Sequence, residues 1–348
     1  MREDVGISII IPCYNDGRYL RDAVDSIYAQ NIKNFPFQIV IVDDASKEQK
    51  TREHIHQLEQ EYPAIKAIYR KNNGGTAAAR NTALEHSDYP YILALDADDK
   101  LSSDPKLLKG GGYLERAVTL LEQDHDVVFT FCGFKRFEGA SNASPRPIYN
   151  EKKLLGMHGI GPHIVFSRDE ALRIGGYNTA ISYAEDWDFN VSLLNGRYEF
   201  NKENGQHKRP VKVHQFYEPY ILYRIRADGS SKTDKNSIPR EEELKKIISR
   251  NPGIYERHYK TDSGQPLFGQ QLVDAVMNDA KKDRFSYKKE FLKKCLVKPY
   301  GAYKDGSFAF LRSVLNRKLK NKRGRLIAQF RGKPKFQHDQ ATVEPQQY

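Results

Sequence analysis

Cysteine and tryptophan are scarce in this 348-residue chain, at three and one. Cys13, Cys132 and Cys295 lie far apart with no paired spacing. That excludes a disulfide framework and a cysteine-built metal site, and it points to a reducing compartment, the cytoplasm. Long apolar runs are missing too. The apolar-rich stretch near the start, residues 5–13, is too short to span a bilayer and lacks the layout of a signal peptide. A mean hydropathy of −0.71 with 39% hydrophobic residues reads as a soluble protein with enough length for a real core. No Gly-x-Gly-x-x-Gly follows the first apolar strand, and no glycine-rich loop ends in Gly-Lys-Ser/Thr. These absences weigh against a dinucleotide oxidoreductase and a nucleoside triphosphatase. There is no internal repeat.

Charge is present in excess and is unevenly placed. Residues 281–335 hold 19 Lys and Arg against 3 Asp and Glu, a balance of +16 in a chain whose total is +11. The remainder is therefore net acidic, which suggests two modules with different work. The expected division is a catalytic domain over 1–230, a basic helical region over 231–335 and a loose, glutamine-rich tail over 336–348.

The first hundred residues alternate strand and helix. Ile7-Ser8-Ile9-Ile10-Ile11, Gln38-Ile39-Val40-Ile41-Val42, residues 65–69 and residues 91–95 read as strands, with helical patterns over 19–30, after Ser46 and from Gly74-Gly75. This βαβα order predicts an α/β fold with a parallel sheet covered by helices on both faces. Such sheets bind ligands outside the carboxyl ends of their strands. Asn15, Asp43, Asp44 and Asp96-Ala97-Asp98-Asp99 all fall there. Ser46 with Gln49, Ser167 with Glu170 and Ser182 with Glu185 have the spacing of capping boxes. Residues 211–226 read as strand, and the chain turns helical after Asp228-Gly229-Ser230-Ser231.

The densest signal is the apolar run Tyr91-Ile92-Leu93 feeding into three aspartates. Acids gathered at a strand end are costly unless a cation or donors meet them. Asp98 is the expected ligand of a hard divalent ion, with Asp96 two residues back on the same side and Asp99 a further candidate. The alternative is a solvated acidic turn.

Taken in order, Ser8-Ile9-Ile10-Ile11-Pro12-Cys13-Tyr14-Asn15, Val42-Asp43-Asp44-Ala45-Ser46, Asn72-Asn73-Gly74-Gly75 with Ala79-Arg80-Asn81, Asp96-Ala97-Asp98-Asp99, and Gly175-Gly176-Tyr177 leading to Glu185-Asp186-Trp187-Asp188 resemble the family 2 glycosyltransferases of the GT-A fold. The resemblance covers about the first two thirds of the chain. It implies inverting transfer from a nucleotide-activated sugar, favours UDP, and implies Mg²⁺ or Mn²⁺. By the same resemblance Asp43 accepts from the base, Asp96 faces the ribose directly or through the metal, and Pro12 and Tyr14 border the nucleotide. Arg80 is expected to reach phosphates or the base-binding carboxylates, or to form a plain surface ion pair.

Inversion needs a base for the acceptor hydroxyl. Glu185 is accounted for as the capping partner of Ser182, which leaves Asp186, in a first helical turn where the dipole favours its ionised form. The resemblance points to the same aspartate. Glu185, Trp187 and His163 are the expected acceptor-side residues; Trp187 also reads as core, His163 as structural, and Asp188 as an exposed or supporting acid. Many family members carry a histidine in Tyr-Arg-x-His, where this chain has Tyr223-Arg224-Ile225-Arg226. Arg226 cannot ligate a cation, and is expected to hold phosphate oxygens, with 229–232 as a closing loop.

Beyond residue 281, Tyr287, Phe291 and Cys295, and then Phe308, Leu311, Leu315 and Leu319, make apolar stripes between lysines and arginines. An anionic membrane surface, an anionic polymer acceptor and a plain solvated face are the three readings, and no motif supports nucleic acid. A lipid-linked or glycan acceptor fits the first. The rival functions are a sugar nucleotidyltransferase, which needs a triphosphate loop absent from Cys13-Tyr14-Asn15-Asp16-Gly17, and a non-catalytic nucleotide-sugar or glycan binder.

Overall fold

A computed structural model of the chain describes residues 5–109, 111–139, 143–144, 148–157, 159–227 and 241–282. The basic stripes from Tyr287 onward, the 229–232 loop and the tail lie outside the described residues.

Four strands, β1 (Ile7–Cys13), β2 (Phe37–Asp43), β3 (Ile65–Tyr69) and β4 (Tyr91–Ala94), alternate with helices α1 (Gly17–Tyr28), α2 (Gln49–Glu61) and α3 (Gly75–Glu85). There follow β5 (Lys100–Leu101), α4 (Pro105–Leu108), α5 (Gly112–Gln123), β6 (Val127–Glu138), β7 (Ala143–Ser144), α6 (Glu151–Gly156), β8 (Ile164–Ser167), α7 (Arg168–Arg173), α8 (Glu185–Glu203), β9 (Lys212–Ile225), α9 (Glu241–Arg250) and α10 (Pro252–His258). One sheet runs β3-β2-β1-β4-β8-β6-β9-β5, with β7 on β6. Its first four strands are parallel. β8 then joins β4 and β6 antiparallel, while β6 and β9 run parallel.

Strand periodicity decides which helix goes where. Ile7, Ile9, Ile11, Ile39 and Ile41 face a core shared with α1, α2 and α5, through Leu20, Val24, Ile55, Leu58 and Leu114. The intervening Ile10, Val40 and Val42 face the opposite core, with Ala77, Ala79 and Ala83 of α3, Trp187 and Val191 of α8, Leu244 of α9 and Ile254 of α10. Small alanines on α3 let that helix lie close to the sheet. The residues of α9 and α10 thus complete the same core as the strands that precede them by two hundred positions.

None of the three expected capping boxes forms. α2 starts at Gln49 with no side-chain cap, and Ser46 Oγ instead accepts from the Asn15 amide at 2.9 Å. Ser167 precedes α7 without a side-chain cap, and Glu170 is taken by Arg197. α8 follows Ala184 rather than Ser182, and Glu185 is taken by Arg80. In the last two cases a guanidinium brought by tertiary structure outcompetes a local backbone partner for the carboxylate, because charge-assisted bonds are the stronger kind.

Candidate active site

The site sits at the carboxyl ends of the parallel strands, and its loops are pinned to one another. Asn15, at φ 57°, accepts the Lys47 and Glu48 amides at 2.9 and 3.1 Å, tying the end of β1 to the start of α2. Asp43 is fully buried; its carboxylate accepts from the Ser46 amide at 3.1 Å and Arg52 Nε at 2.9 Å. Asp44 turns to α3. It receives Arg70 and the amides of Gly74 and Gly75, the latter at 2.7 Å, so it caps α3. Tyr14 is partly exposed beyond β1, and Pro12 lies in β1 opposite Val42.

The acids after β4 form a tight turn, with the Asp99 amide on the Asp96 carbonyl at 3.0 Å. Arg224 of β9 holds that turn by donating from Nε to the Asp98 carbonyl at 2.7 Å and from its amide to Asp99 Oδ1 at 2.8 Å. Each carboxylate then goes to a different partner. Asp96 receives Arg80 Nη2 at 2.6 Å. Asp98 receives Arg226, whose Nη2 also meets Asp16 at 2.8 Å. Asp99 Oδ2 lies 2.9 Å from His163 Nε2. Burial pushes the Asp98 carboxyl up, as does Asp96, against the pull of Arg226. Burial pushes Asp99 up to about 6, against the pull of His163.

Arg80 is the hub. It is carried by α3, is 2% exposed, and donates from Nη1 to Glu185 Oε1 at 3.1 Å while holding Asp96. Its guanidinium lies 5.3 Å from the Tyr177 ring centre. Burial opposes its charge, yet Asp96, Tyr177, Glu185 and Asp186 together hold its pKa above the ordinary arginine value. Burial and Asp186 push Glu185 up, with Arg80 opposing. Asp186 is buried at the start of α8, and its Oδ1 accepts the Trp187 amide at 2.9 Å. Ala184, just before it, is left-handed at φ 74°, a conformation that costs an alanine about 1–2 kcal/mol. At the other end of the site, the buried Cys13 thiol is raised by burial and then by Asp16, Asp43 and Asp98. Ion pairs run from Asp16 through Arg226 to Asp98, and from Asp96 through Arg80 to Glu185.

The spacing of Arg80-Asn81 and Gly176-Tyr177 now has a cause. Asn81 Nδ2 donates to the Tyr177 carbonyl at 2.8 Å, and Asn81 Oδ1 accepts the Tyr177 amide at 2.7 Å. A Cβ on Gly176, at φ 68°, would collide with that amide oxygen. The clip sets Tyr177 beneath Arg80.

Several expectations are corrected. Arg80 makes no surface ion pair, being buried between two carboxylates. Glu185 has no capping duty, so elimination does not single out Asp186. Trp187 is fully buried, with Nε1 donating to the Leu154 carbonyl at 2.6 Å, and cannot stack on a sugar. His163 is buried against Asp99 rather than presented to an acceptor. Asp188 is buried on Arg250, not exposed. Asp16 was missed, although an acid at the first strand's end was a readable signal.

The divalent ion implied by the fold can be tested against these donors. Asp96, Asp99 and His163 each offer a ligand atom, all within 4.8 Å of one another. Two carboxylate oxygens and an imidazole nitrogen fit a divalent cation. Two cavities, of about 310 and 270 Å³, lie elsewhere, near Tyr198 and Arg257 and near Ser192 and Arg250; neither is lined by Asp43, Asp98 or Asp186.

A sheet whose four parallel strands end in this acid turn and continue through the antiparallel strand β8 into β6 and β9 is the GT-A architecture. Glycosyl transferase family 2 matches residues 8–228, and the chain belongs to that family. Among curated relatives it is 30% identical to an uncharacterised glycosyltransferase of Haemophilus influenzae, over 54% of this chain and 62% of that protein. It is 33% identical to the putative teichuronic acid biosynthesis glycosyltransferase TuaG of Bacillus subtilis, over 37% of this chain and 46% of that one. The chain thus covers less than two thirds of either relative. Among solved structures, S. aureus TarS 1-349 in complex with UDP-GlcNAc aligns with a TM-score of 0.54 at 16% identity, over 81% of this chain and 73% of that one. That likeness shows the shared fold. Among the described residues, no helix is long and apolar enough to cross a membrane.

Proposed function

We propose that the chain is an inverting glycosyltransferase that moves a sugar from a nucleotide-sugar donor, UDP favoured, to a hydroxyl of a surface glycan, lipid-linked or polymer acceptor. The observation that carries this reading is Arg80, one buried guanidinium joining Asp96 at the strand ends to Glu185 beside Asp186. Support for UDP comes from the fold shared with a protein solved with UDP-GlcNAc. Support for a surface-polymer acceptor comes from TuaG and from GgaB of Bacillus subtilis, named for teichuronic and minor teichoic acid biosynthesis.

In this reading Asp186 takes the acceptor proton as the oxygen attacks the anomeric carbon opposite the leaving diphosphate. Arg80 offsets the charge of Glu185 and Asp96 on either side of that reaction, and Asp43 faces the base edge with Tyr14 bordering it. Arg226 presents a permanent positive charge toward the diphosphate. Asp96, Asp99 and His163 would hold a divalent ion, Mn²⁺ or Mg²⁺, which would supply charge neutralisation for the leaving diphosphate. The catalytic domain of this proposal is 1–230 together with α9 and α10, whose side chains pack into its core. The basic residues beyond α10 in the 231–335 segment serve contact with an anionic inner membrane face or an anionic acceptor in the cytoplasm.

The test is a thermal-shift panel of UDP-GlcNAc, UDP-glucose, UDP-galactose and GDP-mannose with Mn²⁺ or Mg²⁺. Stabilisation by one nucleotide class, strengthened by metal, is expected. No response to any donor would overturn the reading.

A further inference from the structure

The larger cavity, of about 310 Å³, is lined by Glu151, Tyr198, Arg257, His258 and Lys260. Glu151 is the one acid in that lining, and its carboxylate is already engaged. Tyr198 Oη donates to its two oxygens at 3.1 and 3.0 Å, and His258 Nε2 lies 2.6 Å from Oε1. The cations are not engaged in the same way. Arg257 stands over the Tyr198 ring, 4.0 Å from its centre. Arg257 and Lys260 are both exposed, and among the described residues neither pairs with a carboxylate. The hollow therefore carries an excess of positive charge that the protein does not neutralise.

A second observation comes from Tyr149. Its hydroxyl is near enough to Glu151 and Tyr198 for both to raise its pKa, after burial, and it is buried with no hydrogen-bond partner. A buried donor without an acceptor is costly, and this one adds unspent polarity to the same wall. A guanidinium beside an ammonium suits the oxygens of a carboxylate or a phosphodiester. Small-molecule sites run from about 300 to 1,000 Å³, so this volume takes a single sugar-sized unit rather than a nucleotide sugar. A membrane is met by a broad basic face, whereas these two cations border a hollow.

We infer that this cavity holds one acidic unit of a glycan acceptor chain whose growing end lies at Asp186. Asp186 and Tyr198 ride the same helix, α8, about 18 Å apart along its axis. Helix α6 bridges the two ends, with the Leu154 carbonyl on Trp187 and Glu151 on Tyr198. A chain laid along α6 would run from one to the other. The role as an acceptor subsite rests on the transferase reading above; anion binding in the cavity does not.

The experiment is calorimetric titration of the full chain with hexagalacturonate, with an oligomer of glycerol phosphate, with neutral maltohexaose and with phosphatidylglycerol vesicles. The wild type should bind at least one acidic oligomer and not maltohexaose. The Arg257→Gln, Lys260→Gln double variant should weaken that binding at least about tenfold, while Lys208→Gln, at an exposed lysine elsewhere, changes it less than about twofold. Unchanged affinity in the double variant would overturn the inference, as would no binding of either acidic oligomer by the wild type. Loss confined to the vesicles would overturn it in favour of a lipid surface. In transfer assays the double variant should raise KM for an acidic polymer acceptor and leave kcat and acceptor-free UDP release unchanged. An unchanged KM beside lost binding would overturn the acceptor role. Binding lost in the double variant, with no sugar transfer to any acceptor by the wild type, upholds the anion site and counts against the transferase reading instead.

Discussion

Arg80 donates to Asp96 at 2.6 Å from a position that is almost fully buried, and the same guanidinium reaches Glu185 at 3.1 Å. Asp96 follows a sheet strand and Glu185 opens a helix eighty-nine residues later, so this one cation fixes the distance between the two halves of the site. Removing it leaves two acids with no compensating charge. Arg80→Met should cost about 3–5 kcal/mol of stability, the usual penalty for breaking a buried ion pair. Urea unfolding monitored by circular dichroism measures it, and a loss below about 1 kcal/mol would contradict the buried-hub description.

Asn81, next in the chain, tests the clip independently. Asn81→Ala leaves the amide and carbonyl of Tyr177 unpaired, for an expected loss of about 1–3 kcal/mol. Gly176 should stay intolerant of alanine in the wild type, because the left-handed backbone and the Asn81 oxygen both oppose a Cβ. Expression and melting temperature of the Gly176→Ala and Asn81→Ala variants provide the readout.

Trp187 is the only tryptophan, which makes it a clean probe. Buried in the core with its indole N–H on a carbonyl, it should emit at short wavelength and resist iodide quenching. Strong quenching by iodide would reject the packed position and restore a sugar-stacking role.

Cys13 gives a pH prediction. Burial, then Asp16, Asp43 and Asp98, push its thiol up to about 12 from 9.0. The folded chain therefore keeps this proton where the unfolded chain releases it. The stability it contributes is present below pH about 9 and is lost as pH rises toward about 12. Iodoacetamide should leave Cys13 unmodified in native protein at pH 9 and alkylate it in urea, as mapped by peptide mass spectrometry.

The strands were legible because each is a short apolar run, and alternation along β1 and β2 told which residues face which layer. The acids were legible as strand-end clusters. Their partners were not. Ser182 and Glu185 have ideal capping spacing, yet Arg80, a hundred residues upstream, captures Glu185. The Arg226 partner of Asp98, just past β9, and the His163 partner of Asp99, just before β8, come from far along the chain. Local spacing shows what a residue could do with its neighbours in the chain, and here the sheet brings stronger partners from far away.

Asp186 as the base of a sugar transferase is the central claim, and donor cleavage in the absence of acceptor tests it most directly. The measurement is the rate of UDP release from a UDP-sugar panel by wild type, Asp186→Asn and Glu185→Gln, with UDP affinity measured alongside. The account predicts slow release by the wild type from at least one donor, a fall of roughly 10²- to 10⁴-fold in Asp186→Asn, and little change in UDP affinity. Wild-type release rates in Asp186→Asn, with the loss appearing in Glu185→Gln, would contradict it.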